Sequence, residues 1–371
     1  MITPKRIEFA GGGTAGHLFP ALALAEEFRR NFPFCEILFW GTKHGVEYRL
    51  KEKLGYPLRT IQIHGFRRRF AITNFLIPLE FCWSECRLLF HFLWHRPDLV
   101  VGTGGYVSGP VVSLATILRI NTIIQEQNSF PGMTTRLLSR WVKRVYLTYE
   151  SSRTFFSKQK KLRVVGNPVR RQPERLDPEP ARKLFALRSD CQTLLIFGGS
   201  QGGLGLNKLM LEVAPKLLAD STIQIIWATG PAHFERIRGE LHGFADLHLF
   251  PFIDAMYAAY SVSDLVICRS GATTIAELTY LGKPAVLIPF PFATAGHQEF
   301  NARELAKAGA ALCFIEDKTS GEQLFTAIKD LLANKNKLMQ MQEQMKNLAR
   351  PNAAYDIVSD VRDTFFIDPR A

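Results

Sequence analysis

Glu277 and His17 each stand where an apolar run, a glycine-containing turn and a new helix follow one another. Leu265 to Cys268 reads as a buried strand, Arg269-Ser270-Gly271 as the turn, and Ala272-Thr273-Thr274 as the start of the helix. The unpaired N–H groups and the dipole at a helix start favour an anion, so the turn suits a phosphate. Glu277 comes about one helical turn further in, where a carboxylate can accept two hydrogen bonds from a ribose diol. The plainer alternative is an acid that only complements the dipole. His17 follows Gly11-Gly12-Gly13-Thr14-Ala15-Gly16, a G-x-G-x-x-G pattern. A nicotinamide or flavin site would close the second strand with an acid, but Ile37 to Trp40 runs into Gly41-Thr42-Lys43. The loop therefore reads as a phosphate cradle. His17 faces its contents, either as a catalytic group or as a structural cap.

The elements needed to hold these residues are repeated along the chain. After the strand Leu99 to Val101 comes Gly102 to Pro110, a second glycine-rich turn. Its Tyr106 can stack on a ligand, hydrogen-bond to it, or pack. Two such loops at neighbouring strand ends would make one anion-binding concavity. Glu126-Gln127-Asn128 follows the next strand, and Gly198 to Gly203 opens a helix after Leu194 to Phe197. Phe252-Ile253-Asp254 offers backbone groups to a flat base edge, and Gln298 beside His297 can reach sugar hydroxyls. Strand–helix alternation of this kind gives α/β, doubly wound sheets. Because the strand–glycine loop–helix unit recurs in each half, two similar domains facing across a cleft are expected. Pro168, Pro173, Pro178 and Pro180 among dense charge mark the linker. The expected division is 1–165, a linker 166–182, 183–350, and a tail 351–371 packing back on the first domain.

The 371 residues exceed what one core usually supports, and 47% apolar content suits a globular chain. With 46 basic against 34 acidic residues the net charge is +12, which favours an anionic partner. No basic tail or zinc-finger spacing points to nucleic acid. The 6 cysteines show neither a disulfide framework nor metal spacing, and Cys82 and Cys86 read as core thiols on one helical face. No apolar signal segment precedes the strand at Arg6, so a cytoplasmic location is expected. Between Gly65 and Trp94, Arg67, Arg68 and Arg69 precede Phe75, Leu76, Leu79 and Trp83. Pro78, Glu80, Glu85, Arg87 and His91 interrupt any membrane span. The basic and aromatic segment suits a surface resting on an anionic bilayer.

Taken in order, these motifs resemble the MurG transferases of peptidoglycan synthesis almost end to end. The matches are Gly12 to His17, Gly102 to Pro110, Glu126 to Asn128, Val165 to Arg170, Gly198 to Gly202, Phe252 to Asp254, Cys268 to Ala272 with Glu277, and His297-Gln298. The resemblance implies the GT-B fold, two Rossmann-like domains across a cleft, and an inverting, metal-independent, cofactor-free transfer of N-acetylglucosamine from UDP-GlcNAc to lipid I. It places the nucleotide-sugar on the C-terminal domain: Ile253 on the uracil, Glu277 on the ribose, and His297 and Gln298 on the sugar. Ser200, Gln201 and Gly202, with Ala272, Thr273 and Thr274, would hold the donor diphosphate. Thr14, Gly16, Asn128 and Arg170 would reach the donor from the other domain. Gly12, Gly13, Thr14, Ala15, Gly16, Gly104, Gly105 and Tyr106 would take the acceptor diphosphate. His17, then Glu126, are the candidates for the general base. The implied location is peripheral, on the cytoplasmic side of the inner membrane, with other cell-wall synthesis proteins as partners and no nucleic acid. A diacylglycerol-using GT-B glycolipid synthase and a non-catalytic UDP-sugar sensor are the alternatives. Thr273 and His297 depart from residues common in the family, and both bear on the sugar contacts.

Overall fold

The computed structural model describes residues 3–64, 73–170, 177–199 and 202–367, with the backbone alone for 73–79. Arg67, Arg68, Arg69, Ser200 and Gln201 fall outside the described residues. The chain forms two compact units, Met1–Arg171 with Arg350–Ala371, and Gln172–Ala349.

The first unit opens with β1 (Arg6–Gly11), α1 (Ala15–Asn31), β2 (Glu36–Gly41), the short α2 (Val46–Arg49) and β3 (Leu58–Thr60). It continues through α3 (Thr73–Trp94), β4 (Leu99–Gly104), α4 (Ser108–Ile117), β5 (Asn121–Glu126), α5 (Met133–Leu138), β6 (Arg144–Leu147) and β7 (Leu162–Val164). The second unit holds α6 (Pro178–Leu184), β8 (Gln192–Phe197), α7 (Leu204–Leu218), β9 (Ile223–Ala228), α8 (Phe234–Glu240) and β10 (Leu247–Phe250). Then follow α9 (Met256–Val262), β11 (Leu265–Cys268), α10 (Ala272–Leu281), β12 (Ala285–Leu287), α11 (His297–Lys307) and β13 (Ala311–Cys313). The helices α12 (Gly321–Ala333) and α13 (Lys335–Leu348) close that unit, and α14 (Ala353–Phe365) belongs to the first.

Both sheets are parallel and wound alike: β3-β2-β1-β4-β5-β6-β7 in one unit, β10-β9-β8-β11-β12-β13 in the other. The winding direction reverses between β1 and β4, and again between β8 and β11. Open α/β sheets bind ligands outside the carboxyl ends of the strands at such reversals, and the glycine-rich turns lie there. The inner strands read as continuous apolar runs because helices cover both faces; every residue of β4 and β9 is buried. Leu18 and Phe28 of α1, with Phe32 just after it, share a core with Ile357, Val358 and Val361 of α14 and with Phe366 just after that helix, which fastens α14 to the first unit.

α3 is amphipathic. Ser84, Leu88, His91 and Phe92 are buried, while Trp83, Phe90, Leu93 and Trp94 are 60–81% exposed. A buried carboxylate docks it: Glu8 in β1 accepts from Trp40 Nε1 at 2.6 Å and from His91 Nε2 at 2.7 Å. Phe75, Leu76 and Leu79 belong to its first two turns. Cys82 and Cys86 are exposed rather than core thiols, because the core-facing side of α3 is taken by the residues between and beyond them. Among the described residues no helix is long and apolar enough to cross a membrane.

Candidate active site

In the second unit the turns after β8, β10 and β11 converge on one core cluster that contains Phe197, Ile253, Tyr260, Cys268 and Ile275. The backbone after β8 comes so close to its neighbours that only glycine fits: a Cβ on Gly202, whose φ is +76°, would lie 2.2 Å from the Thr229 carbonyl. Ala272, Thr273 and Thr274 form the first turn of α10, whose N-cap, Gly271, offers no side chain to the backbone N–H groups. Thr273 Oγ1 is buried and has no partner among the described residues. A hydroxyl in that position is costly unless a ligand oxygen satisfies it. The turn is braced by buried Arg269, which donates to the Ile288 and Pro289 carbonyls at 3.0 and 3.1 Å and pairs with Glu316.

Glu277 lies just below this turn. Burial pushes its carboxyl up to about 7, opposed by a 3.0 Å hydrogen bond donated by the Tyr260 hydroxyl to Oε2. Tyr260 is fully buried against Phe197, so it ties the glutamate to the end of β8. Gln298 Oε1 accepts from the Phe290 N–H at 2.9 Å, which fixes the amide and leaves its NH₂ end as the donor to offer. His297 Nδ1 lies 2.7 Å from the Thr294 carbonyl, and burial holds its pKa below the usual histidine value. The lowered pKa favours a neutral imidazole, and the carbonyl favours the tautomer protonated on Nδ1.

In the first unit the two glycine loops close on each other around His17. Its Nδ1 lies 3.0 Å from Thr14 Oγ1 and 3.3 Å from the Gly12 carbonyl. Gly104 and Gly105, with φ of +98° and +77°, lie against the imidazole, and a Cβ on Gly104 would sit 2.9 Å from His17 Cδ2. Those glycines therefore make room for His17. Tyr106 packs on Gly13, and its hydroxyl meets Thr42 Oγ1 at 3.3 Å. The first loop has a different occupant from the one its sequence suggests. The Gly13 N–H donates to Glu47 Oε2 at 2.8 Å, and a Cβ on Gly12 would lie 2.6 Å from that carboxylate. Gly12 and Gly13 thus wrap an internal acid, to which the Gly13 N–H is committed; contact of these two glycines with the acceptor diphosphate stays a proposal. Thr14, Ala15 and Gly16 at the start of α1 keep that candidate role.

Glu126 is turned inward as well. Its Oε1 accepts from the Asn128 N–H and amide at 3.1 and 3.2 Å, and Oε2 accepts from the Gly132 N–H at 3.1 Å. Burial raises its pKa despite those donors. Its oxygens hold the Asn128 amide and the Gly132 N–H of this loop. Arg170 is paired with Glu26 on α1 at 3.0 Å, so reaching a ligand would break that contact. Sequence reasoning gives no role to Glu47, Tyr260 or Arg269. The spacing Gly41…Gly45…Glu47 is the available signal for the first, since neither glycine tolerates a Cβ beside the carboxylate.

Residues 7–147 match the glycosyltransferase family 28 N-terminal domain and residues 193–359 the family 28 C-terminal domain. The UDP-N-acetylglucosamine–N-acetylmuramyl-(pentapeptide) pyrophosphoryl-undecaprenol N-acetylglucosamine transferase of Desulforamulus reducens is 39% identical over 96% of this chain and 98% of its own length. Its namesake from Chlorobaculum tepidum is 41% identical over 94% and 96%. The crystal structure of Acinetobacter baumannii MurG superposes with a TM-score of 0.78 at 30% identity, covering 97% of this chain and all of that one. The fold is therefore GT-B, and the chain belongs to the MurG family of N-acetylglucosamine transferases.

Proposed function

We propose that this protein transfers N-acetylglucosamine from UDP-GlcNAc, with inversion, to the 4-hydroxyl of the N-acetylmuramoyl sugar of lipid I, giving lipid II. The observation that carries this reading is similarity over nearly the whole chain, at 39% and 41% identity, to enzymes named for that reaction. The geometry supports it. The α10 turn, with its buried Thr273 hydroxyl, suits the donor diphosphate; Glu277 suits the ribose diol, the Ile253 backbone the uracil, and Gln298 with His297 the sugar. In the reaction the acceptor oxygen attacks the anomeric carbon, the bond to the β-phosphate breaks, and UDP departs. The helix start stabilises charge growing on the leaving phosphate. His17 takes the hydroxyl proton. The acceptor diphosphate lies against Thr14 to Gly16 and the loop of Gly104, Gly105 and Tyr106. The exposed aromatic face of α3, with the basic segment before it, rests on the anionic cytoplasmic face of the membrane that carries the acceptor. Transfer of radiolabelled GlcNAc to a short-chain lipid I analogue, with EDTA present, tests the reading. Labelled lipid II supports it; transfer only to diacylglycerol, or only with added metal, contradicts it.

A further inference from the structure

The Gly12–Gly13 peptide is held at both polar ends. Its N–H, on Gly13, donates to Glu47 Oε2 at 2.8 Å, and its C=O, on Gly12, lies 3.3 Å from His17 Nδ1. A carbonyl can only accept, so the second bond needs the proton on Nδ1 and puts the lone pair on Nε2. Thr14 Oγ1, at 3.0 Å from Nδ1, has a rotatable hydrogen and, in the tautomer that the carbonyl selects, can accept the same proton. Glu47 is fully buried, and its Oε1 accepts from the Thr42 N–H at 2.8 Å and the Thr42 hydroxyl at 3.3 Å. A Cβ added to Gly12, Gly41 or Gly45 would lie 2.6, 2.3 or 2.0 Å from Glu47 atoms. The loop is thus built around this acid.

We infer that Glu47 is a positioning residue for the His17 base, acting through the Gly12–Gly13 peptide. Carboxylate, peptide and imidazole form one hydrogen-bonded chain that fixes the Nε2 lone pair and strengthens it as a proton acceptor. A carboxylate on the N–H draws positive charge to that end of the peptide and leaves the carbonyl oxygen more negative, a cooperative gain of about 10–30% per bond. When Nε2 takes the acceptor's proton, the new positive charge is met by that oxygen and by the Glu47 charge behind it. The Nδ1 and Gly13 protons stay where they are. The inference rests on the proposed role of His17 as base.

Among the described residues, Glu47 from α2 and the Tyr106 hydroxyl from the second loop are titratable groups that face this chain, while Thr103 and Gln127 bring neutral groups from β4 and the turn after β5. Lys43 and His44 lie on the turn that carries Thr42, both exposed. Glu47→Gln in the full chain should lower the kcat plateau on the order of tenfold, leave KM for UDP-GlcNAc in place, and move the acid limb of the kcat–pH profile to lower pH. The shift has that sign because losing the negative charge destabilises the imidazolium. A merely structural role would lower kcat without moving the limb. His17→Ala is measured alongside. If it keeps normal turnover, the base reading itself falls. If it is inactive while Glu47→Gln keeps both plateau and limb, the relay alone falls. Wild-type protein labelled with ¹⁵N at glycine and histidine decides the matter even where Glu47→Gln does not fold. The Gly13 amide resonance should move in step with the His17 ring, with the neutral ring protonated on Nδ1. A Gly13 signal indifferent to that transition, or a neutral ring protonated on Nε2, overturns the relay.

Discussion

The glycine turns after β1 and β8 look interchangeable in sequence, yet they do different work. The first wraps a carboxylate of its own chain, Glu47, and through one peptide touches His17. The second is pressed against the Thr229 carbonyl and lies beside a helix start whose buried hydroxyl, Thr273 Oγ1, has no partner among the described residues. On the proposed function, the loop whose inner donor already holds an anion supports the base, and the helix start with an unsatisfied donor receives the donor diphosphate. A G-x-G-x-x-G pattern therefore identifies a close backbone approach, and only the surroundings say what approaches.

The contrast predicts separable defects. His17→Ala should lower kcat by roughly 10²–10⁴-fold, the usual worth of a general base, while KM for UDP-GlcNAc changes little; near-normal steady-state turnover would remove His17 from the role. Glu277→Ala should weaken UDP binding by roughly 2–4 kcal/mol, two charged hydrogen bonds lost, without a comparable effect on the chemistry of bound donor. Gly202→Ala and Gly12→Ala each force a Cβ into occupied space, at a cost of about 1–3 kcal/mol. Titration calorimetry should find UDP affinity reduced by the first and kept by the second, whose loss shows in turnover instead. The same defect from both substitutions would erase the distinction between the turns.

The smallest effect is with pH. The Glu277 carboxyl titrates near 7 in the folded protein, raised by burial from an ordinary 4.5. UDP affinity should fall as pH drops through about 7, because the protonated acid loses acceptor capacity for a diol. Stability runs the other way. The folded state holds a proton that the unfolded chain releases, so this group's contribution is full below about 4.5 and is lost as pH rises through about 7. Chemical unfolding across that range in wild type and Glu277→Gln checks the sign: the neutral variant should lack this part of the slope.

Much of this architecture is legible in the sequence, because its signals are local. Continuous apolar runs such as Leu99 to Val101, followed at once by glycine and then by helical periodicity, report a parallel strand and its turn. The side chains that escape such a reading act across sequence distance. Glu47 reaches back over β2 to Gly13, 34 residues away, and Tyr260 meets Glu277 from another helix. Glu126 has partners that its strand-end position does not announce. The loop that folds over this carboxylate, from Asn128 to Gly132, uses its oxygens. Cys82 and Cys86 mislead for a related reason: α3 is apolar on both faces, so hydrophobicity alone does not say which side meets the core.

The most direct test of the division of labour is UDP calorimetry on the full-length His17→Ala and Glu277→Ala proteins side by side. Wild-type affinity in the first and a loss of roughly 30-fold or more in the second is the expected result. Equal affinity in both, or a loss confined to His17→Ala, would contradict the assignment of the donor to the second unit.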